Sequence, residues 1–245
     1  MIKLDSCLEI AKSAALLAGE YIKDQQNKDL EILFNEGRDI KLQVDVDAEK
    51  IITEYLGANS SFPILAEESG ISAKLDKFYW VVDPLDGTSN FLRSIPISCV
   101  SIALMNDIEP ILGVIFDFNN DDLYFAHHES KAYLNDSRLS VSSTEQKSDA
   151  TLVTGIPAKE NYSDEEFGKM ISDFQAWKKI RMIGSAAMAS AYVASGKADA
   201  YSENGIFLWD IAAGAAIVKA AGGKVILQNL SSDFRVDAIF TNKNI

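Results

Sequence analysis

Residues 80–91, Trp-Val-Val-Asp-Pro-Leu-Asp-Gly-Thr-Ser-Asn-Phe, combine two carboxylates with a turn that suits a phosphate. An apolar strand, predicted over residues 78–82, runs directly into Asp83 and Asp86, and a proline and a glycine bend the chain around them. Carboxylate oxygens are ligands for a hard divalent cation, and free backbone N–H groups bind anions. The stretch therefore predicts a site for a cation and a phosphate together, as a metal-dependent phosphatase requires.

Two further carboxylates stand at the ends of predicted elements. Glu67 follows a short strand at residues 63–66, and Asp210 begins a predicted helix. A single carboxylate of this kind is usually a surface charge or a helix cap, and N-capping is the alternative for Asp210. Four of them favour a shared Mg²⁺ site, to which a backbone carbonyl between the two aspartates could add a ligand. The candidate metal ligands are Glu67, Asp83, the Leu85 carbonyl, Asp86 and Asp210.

The residues after Asp86 are candidates for binding the phosphate. Gly87 allows a close approach of the backbone, and Thr88 offers both an N–H group and a hydroxyl. If a helix begins at Thr88, its N-terminal N–H groups and its dipole would point at an anion. The alternative is an ordinary Asp-Gly turn in which Thr88 caps the helix.

The elements that must position these residues change in character along the chain. The first half predicts helices at residues 6–23 and 47–56, a loop or hairpin at 24–38, strands at 63–66, 78–82, 98–105, 110–117 and 122–128, and a hairpin near 132–141. The second half predicts helices at 165–177, 185–195 and 210–221 and strands at 179–183, 198–202, 225–227 and 238–241. This order predicts an α+β lobe over residues 1–142, which carries the metal and phosphate site, and an α/β lobe over residues 143–245, which completes the substrate pocket.

Composition excludes several other classes of protein. The chain has 245 residues and a formal net charge of −13, which would repel nucleic acid, and no apolar run approaches a membrane span. Cys7 and Cys99 are too few for a disulfide scaffold and predict a cytoplasmic protein. Cys99 lies in an apolar run and is predicted to be buried. His127 and His128 are predicted to be surface residues.

Three segments together resemble the signature segments of the inositol monophosphatase family: Glu67-Glu68, residues 80–91, and Trp209-Asp-Ile-Ala-Ala-Gly214. The likeness extends from about residue 5 to about residue 225. It implies a layered α-β-α-β-α sandwich and a Mg²⁺-dependent, lithium-sensitive phosphatase that is commonly a homodimer. It further implies two or three Mg²⁺ at the five candidate ligands, with Mn²⁺ or Ca²⁺ as other possible occupants, and phosphate binding by the backbone of Gly87 and Thr88.

The resemblance also implies how the attacking water is prepared. In the family, the hydroxyl that matches Thr88 and a nearby carboxylate help to activate the water. Asp45 is the best match for this carboxylate, and Asp47 remains the alternative, because the chain reads Asp39-Ile-Lys-Leu-Gln-Val-Asp45 where the family has a threonine. The predicted mechanism is an in-line attack on phosphorus by a water that Glu67, Thr88 and a metal orient, without a covalent phosphoenzyme.

The substrate must be predicted from the rest of the pocket, because the superfamily also contains bisphosphate nucleotidases, fructose bisphosphatases and histidinol phosphatases. Segments 86–91 and 181–187 resemble the inositol-type members, and Glu203 matches a carboxylate that contacts sugar hydroxyls. The alternatives are a solvated acid for Glu203 and tight helix packing for residues 184–187. The predicted substrate contacts are Gly184, Ser185, Ala186, Glu203 and Asp210. A regulatory role through a macromolecular partner, such as the transcription machinery, is a further alternative beside catalysis.

Overall fold

The computed structural model describes residues 2–26, 28–36, 39–156 and 162–245. Within these residues, the helices are α1 Leu4–Gln25, α2 Gln43–Asn59, α3 Thr88–Leu92, α4 Asp164–Phe174, α5 Ala186–Ala194 and α6 Leu208–Ala220. The strands are β1 Ile32–Glu36, β2 Asp39–Leu42, β3 Ile64–Ala66, β4 Gly70–Ile71, β5 Phe78–Asp86, β6 Cys99–Asn106, β7 Glu109–Asp117, β8 Asp122–His127, β9 Tyr133–Leu134, β10 Ser137–Arg138, β11 Thr151–Thr154, β12 Lys179–Met182, β13 Ala200–Phe207, β14 Lys224–Gln228 and β15 Arg235–Thr241.

Two mixed sheets form the main layers. Eight strands lie in the order β10-β9-β8-β7-β6-β5-β3-β4, and five lie in the order β12-β11-β13-β15-β14. Most neighbours are antiparallel, as the predicted meander requires, whereas β3 runs parallel to β5, and β11 runs parallel to both β12 and β13. The hairpin β1–β2 forms a separate two-stranded sheet.

Helices cover the faces of these sheets. The apolar sides of α1 and α2 pack on one face of the eight-stranded sheet, where Trp80 is fully buried. The small-residue helices α5 and α6 lie between the two sheets and are buried on nearly every side, which explains why neither has a polar face. Helix α4 lies over the outer face of the five-stranded sheet and has no buried residue. The order of layers is α-β-α-β-α, as the resemblance implies.

The structure differs from the sequence-based expectations at several elements. Helix α2 begins at Gln43, four residues before the predicted start, so Asp45 lies within its first turn. Strands β4 and β11 were not predicted, and β13 extends to Phe207. The predicted loop or hairpin at 24–38 contains β1, and its residues 27, 37 and 38 lie outside the described part. The division into lobes at residue 142 stays a prediction, since one buried cluster draws side chains from both parts.

His127 corrects a prediction. It is buried rather than at the surface, and its Nε2 lies 3.1 Å from Oδ1 of Asp5. The ring is buried because β8 carries it towards the start of α1, where the carboxylate of Asp5 offers a partner. Cys99 is buried, as predicted. No helix in the described ranges is long and apolar enough to cross a membrane.

The contact between β7 and α6 gives a test of the central layer. A β-carbon on Gly113 would lie 2.1 Å from the carbonyl oxygen of Ala213, so the strand and the helix touch through their backbones. We expect Gly113→Ala to lower the free energy of unfolding by about 3 kcal/mol. Gly57, in α2, has nothing within 4 Å of such a β-carbon, and Gly57→Ala should stabilise by about 0.5–1 kcal/mol. Urea unfolding of both variants measures the difference, and equal effects would contradict the close contact.

Candidate active site

A bulge at the end of β5 brings the two central aspartates to one face of the sheet. Asp83 pairs with Ser101 and Asp86 pairs with Cys99, so the two residues between them on β5, Pro84 and Leu85, oppose the single residue Val100 on β6. In a regular strand, side chains an odd number of residues apart point to opposite faces. The additional residue reverses this relation, and both carboxylates point towards the layer of α5 and α6.

Local hydrogen bonds hold each of these aspartates in place. Oδ1 of Asp83 accepts the backbone N–H of Leu85 at 3.0 Å, which stabilises the Asp-Pro-Leu turn. Oδ2 of Asp86 accepts the hydroxyl of Ser185 at 2.5 Å and the backbone N–H of Ala187 at 2.7 Å, at the start of α5. Burial raises the pKa of Asp86 to about 6, although these hydrogen bonds act in the opposite direction.

Glu67 and Asp210 complete a group of four carboxylates around Asp83. Burial, followed by the charges of Glu67, Asp86 and Asp210, raises the pKa of Asp83 well above the usual value, so these carboxyls lie near one another. Burial and then the charge of Asp86 raise the pKa of Asp210, and the pKa of Glu67 is also raised where its carboxyl faces the other acids, although the residue as a whole is exposed. Solvent still reaches Glu67 and, in part, Asp210, whereas Asp83 is buried. The group therefore lines a cleft instead of lying sealed in the core.

Asp210 is not the N-cap of α6. The cap position belongs to Phe207, and Asp210 is the third residue of the helix, where its carboxyl accepts the backbone N–H of Phe207. It thus satisfies one free donor of the helix start while it faces the other carboxylates. The N-capping interpretation of Asp210 is therefore wrong, and its part in a shared metal site stays a prediction.

The residues after Asp86 form a tight turn into a short helix. Gly87 has a φ angle of +89°, and a β-carbon there would lie 2.7 Å from the carbonyl oxygen of Ile97, so only glycine fits without strain. Helix α3 begins at Thr88, as the phosphate-binding prediction requires. The Thr88 hydroxyl lies 3.0 Å from the carbonyl oxygen of Leu85 and 3.5 Å from Oδ1 of Asp45.

The structure brings Asp45, and not Asp47, to Thr88. Asp47 accepts hydrogen bonds from the hydroxyl of Tyr21 at 2.7 Å and from the side chain of Gln43 at 2.9 Å. Asp45 is buried, and its Oδ2 accepts the backbone N–H of Leu42 at 2.6 Å, which leaves Oδ1 directed at Thr88. Burial raises the pKa of Asp45 to about 7. The two aspartates thus lie on different sides of α2 and have different partners.

Glu49 is a structural support that the sequence analysis did not identify. Its two carboxylate oxygens accept the backbone N–H groups of Glu68 at 2.7 Å and of Ser69 at 2.9 Å, and it therefore fixes the turn that follows Glu67. Lys41, on β2, forms an ion pair with Glu68 beside the same turn. The spacing of four residues between Asp45 and Glu49 places both on one side of α2, which is the sequence signal that could have identified Glu49.

The predicted substrate contacts occupy two places. Gly184 is exposed at the entry to α5, whereas Ser185 and Ala186 are buried, and the Ser185 side chain caps the helix through the N–H of Met188. The Asn90 side chain joins α3 to this segment through the carbonyl oxygen of Ile183 at 2.8 Å. Ser185 therefore orients Asp86, and tight helix packing also holds for this segment.

Glu203, on β13, is buried and is not the solvated acid of the alternative interpretation. Burial raises its pKa to about 7, while the hydroxyl of Tyr201 opposes the shift and the charge of Asp86 adds to it. This electrostatic contact places Glu203 beside the carboxylate cluster. A cavity of about 770 Å³ under α4 also reaches Glu203, but it does not include Glu67, Asp83, Asp86 or Asp210 among its walls. This cavity and the carboxylate cluster are therefore separate places that share only Glu203.

The donor set fits a hard divalent cation. The charges that act most strongly on the carboxyls of Glu67, Asp83 and Asp210 are those of other carboxylates, so the group favours a positive ion. Among the described ranges, no three His, Cys, Asp or Glu side chains converge as closely as a complete metal centre made of side chains alone. Mg²⁺ does not need such a cage, because it keeps several waters and uses substrate oxygens as ligands.

The raised pKa values predict how pH affects the metal-free protein. Because carboxyls with pKa values near 4 in the unfolded chain have higher values in the fold, their contribution to stability is present at low pH and is lost as pH rises through the folded values. We expect the melting temperature in EDTA to fall between pH 4 and pH 8, and to fall less for Asp210→Asn. Mg²⁺ should raise the melting temperature more at pH 8 than at pH 5. A gain independent of pH would contradict this reasoning.

Comparisons with known proteins agree with this geometry. The model of the inositol monophosphatase family matches residues 3–238. An inositol-1-monophosphatase of Synechocystis sp. is 38% identical over 227 residues, which are 91% of this chain and 79% of that protein. A Nus factor SuhB of Xylella fastidiosa is 40% identical over 223 residues, 89% of this chain and 80% of that protein. The solved inositol monophosphatase of Anabaena (Nostoc) superposes with a TM-score of 0.86 at 32% identity, covering 99% of this chain and 92% of that one. The chain therefore belongs to the inositol monophosphatase family, and it is a phosphatase with the layered fold that the sequence predicts.

Proposed function

We propose that the protein is a Mg²⁺-dependent phosphomonoester hydrolase of the inositol-1-monophosphatase type, acting on inositol phosphates or related polyol and sugar phosphates. The observation that carries the proposal is the bulge in β5, which directs Asp83 and Asp86 to one face beside Glu67 and Asp210. The same turn continues into Thr88. Acids for a cation and donors for a phosphate are thus adjacent.

The residues that would hold the metal are Glu67, Asp83, the Leu85 carbonyl, Asp86 and Asp210. When bound there, Mg²⁺ ions would polarise the phosphate and lower the pKa of a water. The charges of Glu67 and Asp210 both act on Asp83, so a carboxylate at this position would suit more than one ion. Asp86 is oriented by Ser185 and the start of α5, which leaves its charge directed into the cleft.

The residues that would prepare the water are Thr88 and Asp45, with Glu67 on the opposite side. The Thr88 oxygen can accept a hydrogen bond from the water. Its hydroxyl has two acceptors within reach, the Leu85 carbonyl at 3.0 Å and Oδ1 of Asp45 at 3.5 Å, and it would donate to Asp45 once a cation takes up the carbonyl. A carboxyl with a pKa of about 7 can gain and lose a proton near neutral pH, which suits a general base. The backbone of Gly87 and Thr88 would bind the phosphate. No covalent phosphoenzyme is required, because water is the nucleophile.

A polyol is the alcohol that the remaining pocket supports best. The buried carboxylate of Glu203 lies close enough to Asp86 for the charge of Asp86 to raise its pKa, and a carboxylate can accept hydrogen bonds from neighbouring hydroxyls. Gly184, Ser185 and Ala186 would line the other side of this alcohol. Bisphosphate nucleotides, fructose 1,6-bisphosphate and histidinol phosphate are the alternative substrates on the same core. Lithium inhibition, a homodimeric state and a cytoplasmic location are further parts of the proposal.

A regulatory role in addition to catalysis is the second candidate. It is favoured by the relative named Nus factor SuhB, which shares 40% identity with the chain. Complementation of a strain that lacks the gene distinguishes the two roles. If the inactive Asp83→Asn variant restores the phenotype of that strain, the chain has a function besides turnover; if only active variants restore it, catalysis alone explains the phenotype.

Replacement of Asp83 tests the metal site. Asp83→Asn preserves the size of the side chain but removes the charge at the centre of the cluster, so we expect Mg²⁺-dependent turnover to fall more than about 100-fold. The melting temperature in EDTA should not decrease, because mutual repulsion is relieved. The control is Asp136→Asn, in an exposed turn, which should leave both properties unchanged. Retained turnover in Asp83→Asn would remove Asp83 from the ligand set.

A panel of substrates tests the alcohol. Phosphate release is measured with Mg²⁺ on inositol 1-phosphate, fructose 1,6-bisphosphate, histidinol phosphate and a 3′,5′-bisphosphate nucleotide. We expect the highest kcat/KM with inositol 1-phosphate and inhibition by millimolar lithium. Faster release from the nucleotide would replace the inositol-type assignment with the nucleotidase one, and no release from any substrate would contradict the enzymatic proposal.

A further inference from the structure

The carboxylate of Glu203 is held by two residues to which the resemblance assigns no role. Tyr201 and Glu203 are two positions apart on β13, so their side chains lie on the same face of the sheet. The hydroxyl of Tyr201 donates a hydrogen bond of 3.0 Å to Oε2 of Glu203. The Tyr201 side chain is 1% exposed, and its ring packs on Phe240 with 5.5 Å between centroids. The donor therefore has a fixed position.

Gly155, which directly follows the neighbouring strand β11, restricts the position of the Glu203 carboxylate. Strand β11 runs parallel to β13 with Thr154 beside Ser202, so the next residue, Gly155, lies beside Glu203. A β-carbon on Gly155 would lie 2.5 Å from Oε2 and 3.0 Å from Cδ of Glu203. Any other residue would collide with the carboxylate in its present orientation. The absence of a side chain at Gly155 leaves the space that the carboxylate occupies.

The backbone becomes irregular directly after Glu203. The pairing of β13 with β15 is regular up to Glu203 and Ala238 and shifts before Ile206. Gly205, in the irregular part, has a φ angle of +68°, and its N–H donates to the carboxylate of Asp237. Glu203 is thus the last residue of the regular pairing, and its side chain is aimed by Tyr201 and Gly155 rather than by further strand pairing.

We propose that Tyr201 and Gly155 are positioning residues that set the preference of the enzyme for polyol phosphates. The Tyr201 hydroxyl donates to Oε2 of Glu203, whereas Oε1 accepts no hydrogen bond from the described residues and is available to a hydroxyl of the substrate. A β-carbon on Gly155 would lie 3.0 Å from Oε1 as well, so the glycine keeps both oxygens in place. Neither residue contacts the reacting phosphate, so their effect falls on recognition of the alcohol. This inference rests on the proposed function, because it assumes that Glu203 binds the alcohol.

The test compares two substrates, inositol 1-phosphate and n-propyl phosphate, which lacks free hydroxyls. In Tyr201→Phe, the ratio of kcat/KM for inositol 1-phosphate to that for n-propyl phosphate should fall about tenfold, through KM, because one hydrogen bond that orients the carboxylate is lost. In a Glu203→Gln background, Tyr201→Phe should cause no further fall, since both changes act through one contact. The control is Tyr124→Phe, another fully buried tyrosine, whose hydroxyl contacts Lys197 instead.

Gly155→Ala gives a second, independent measurement if Tyr201→Phe does not fold. It should lower the same ratio, whereas Gly168→Ala, in an open position on α4, should not. Equal losses with both substrates, or an unchanged ratio in Tyr201→Phe while Glu203→Gln lowers it, would overturn the inference and leave the polyol proposal standing. A wild-type enzyme without preference for inositol 1-phosphate, and indifferent to Glu203→Gln, would overturn both.

Discussion

The mutual repulsion of carboxylates in a partly dry cleft is the constraint on which the rest of this structure depends. Burial raises the pKa values of Glu67, Asp83 and Asp210, and the charges of the neighbouring carboxylates raise them further. Such an arrangement destabilises the fold unless a cation or protons neutralise it. It survives because each carboxylate is attached to a rigid element: the end of β3, the bulge of β5 and the first turn of α6. The packing of the layers therefore offsets the repulsion between the like charges.

The scaffold holds these acids mainly with neutral donors. Asp86 is bound by the hydroxyl of Ser185 and by N–H groups at the start of α5, Asp45 by the N–H of Leu42, and Glu49 by two N–H groups of the turn after Glu67. Neutral donors fix the direction of a carboxylate but leave its net charge available. A lysine or arginine in the same places would neutralise the site. Lys41 is the exception: it forms an ion pair with Glu68, and its charge also acts on Asp45.

The sequence predicted the parts of this structure that depend on local pattern. Apolar periodicity located α1, α6 and the meander β5–β8, and the Asp-Pro-Leu-Asp-Gly order located the turn. It could not predict the one-residue bulge, because a bulge is defined by pairing with β6 and not by residues 83–86 themselves. Strand β11 was missed for a similar reason: four residues carry little periodic signal, and the two parallel neighbours that stabilise it are distant in sequence.

The choice between Asp45 and Asp47 is a clearer example of what the sequence could not predict. Both lie in the first turns of α2, and the resemblance favours Asp45 but leaves Asp47 as an alternative. Their environments differ through tertiary contacts: Tyr21 on α1 binds Asp47, whereas α3 brings Thr88 to Asp45. A hydroxyl beside a buried carboxylate recurs at Ser185 with Asp86 and at Tyr201 with Glu203. In each case the hydroxyl aims one carboxylate oxygen without cancelling the charge, and only the tertiary structure determines which acid receives such a partner. A hydroxyl partner alone does not distinguish these acids, because the hydroxyls of Tyr21 and Ser142 bind Asp47 and Asp199 in the same way. The acids proposed for the site are distinguished by the other carboxylates whose charges act on them.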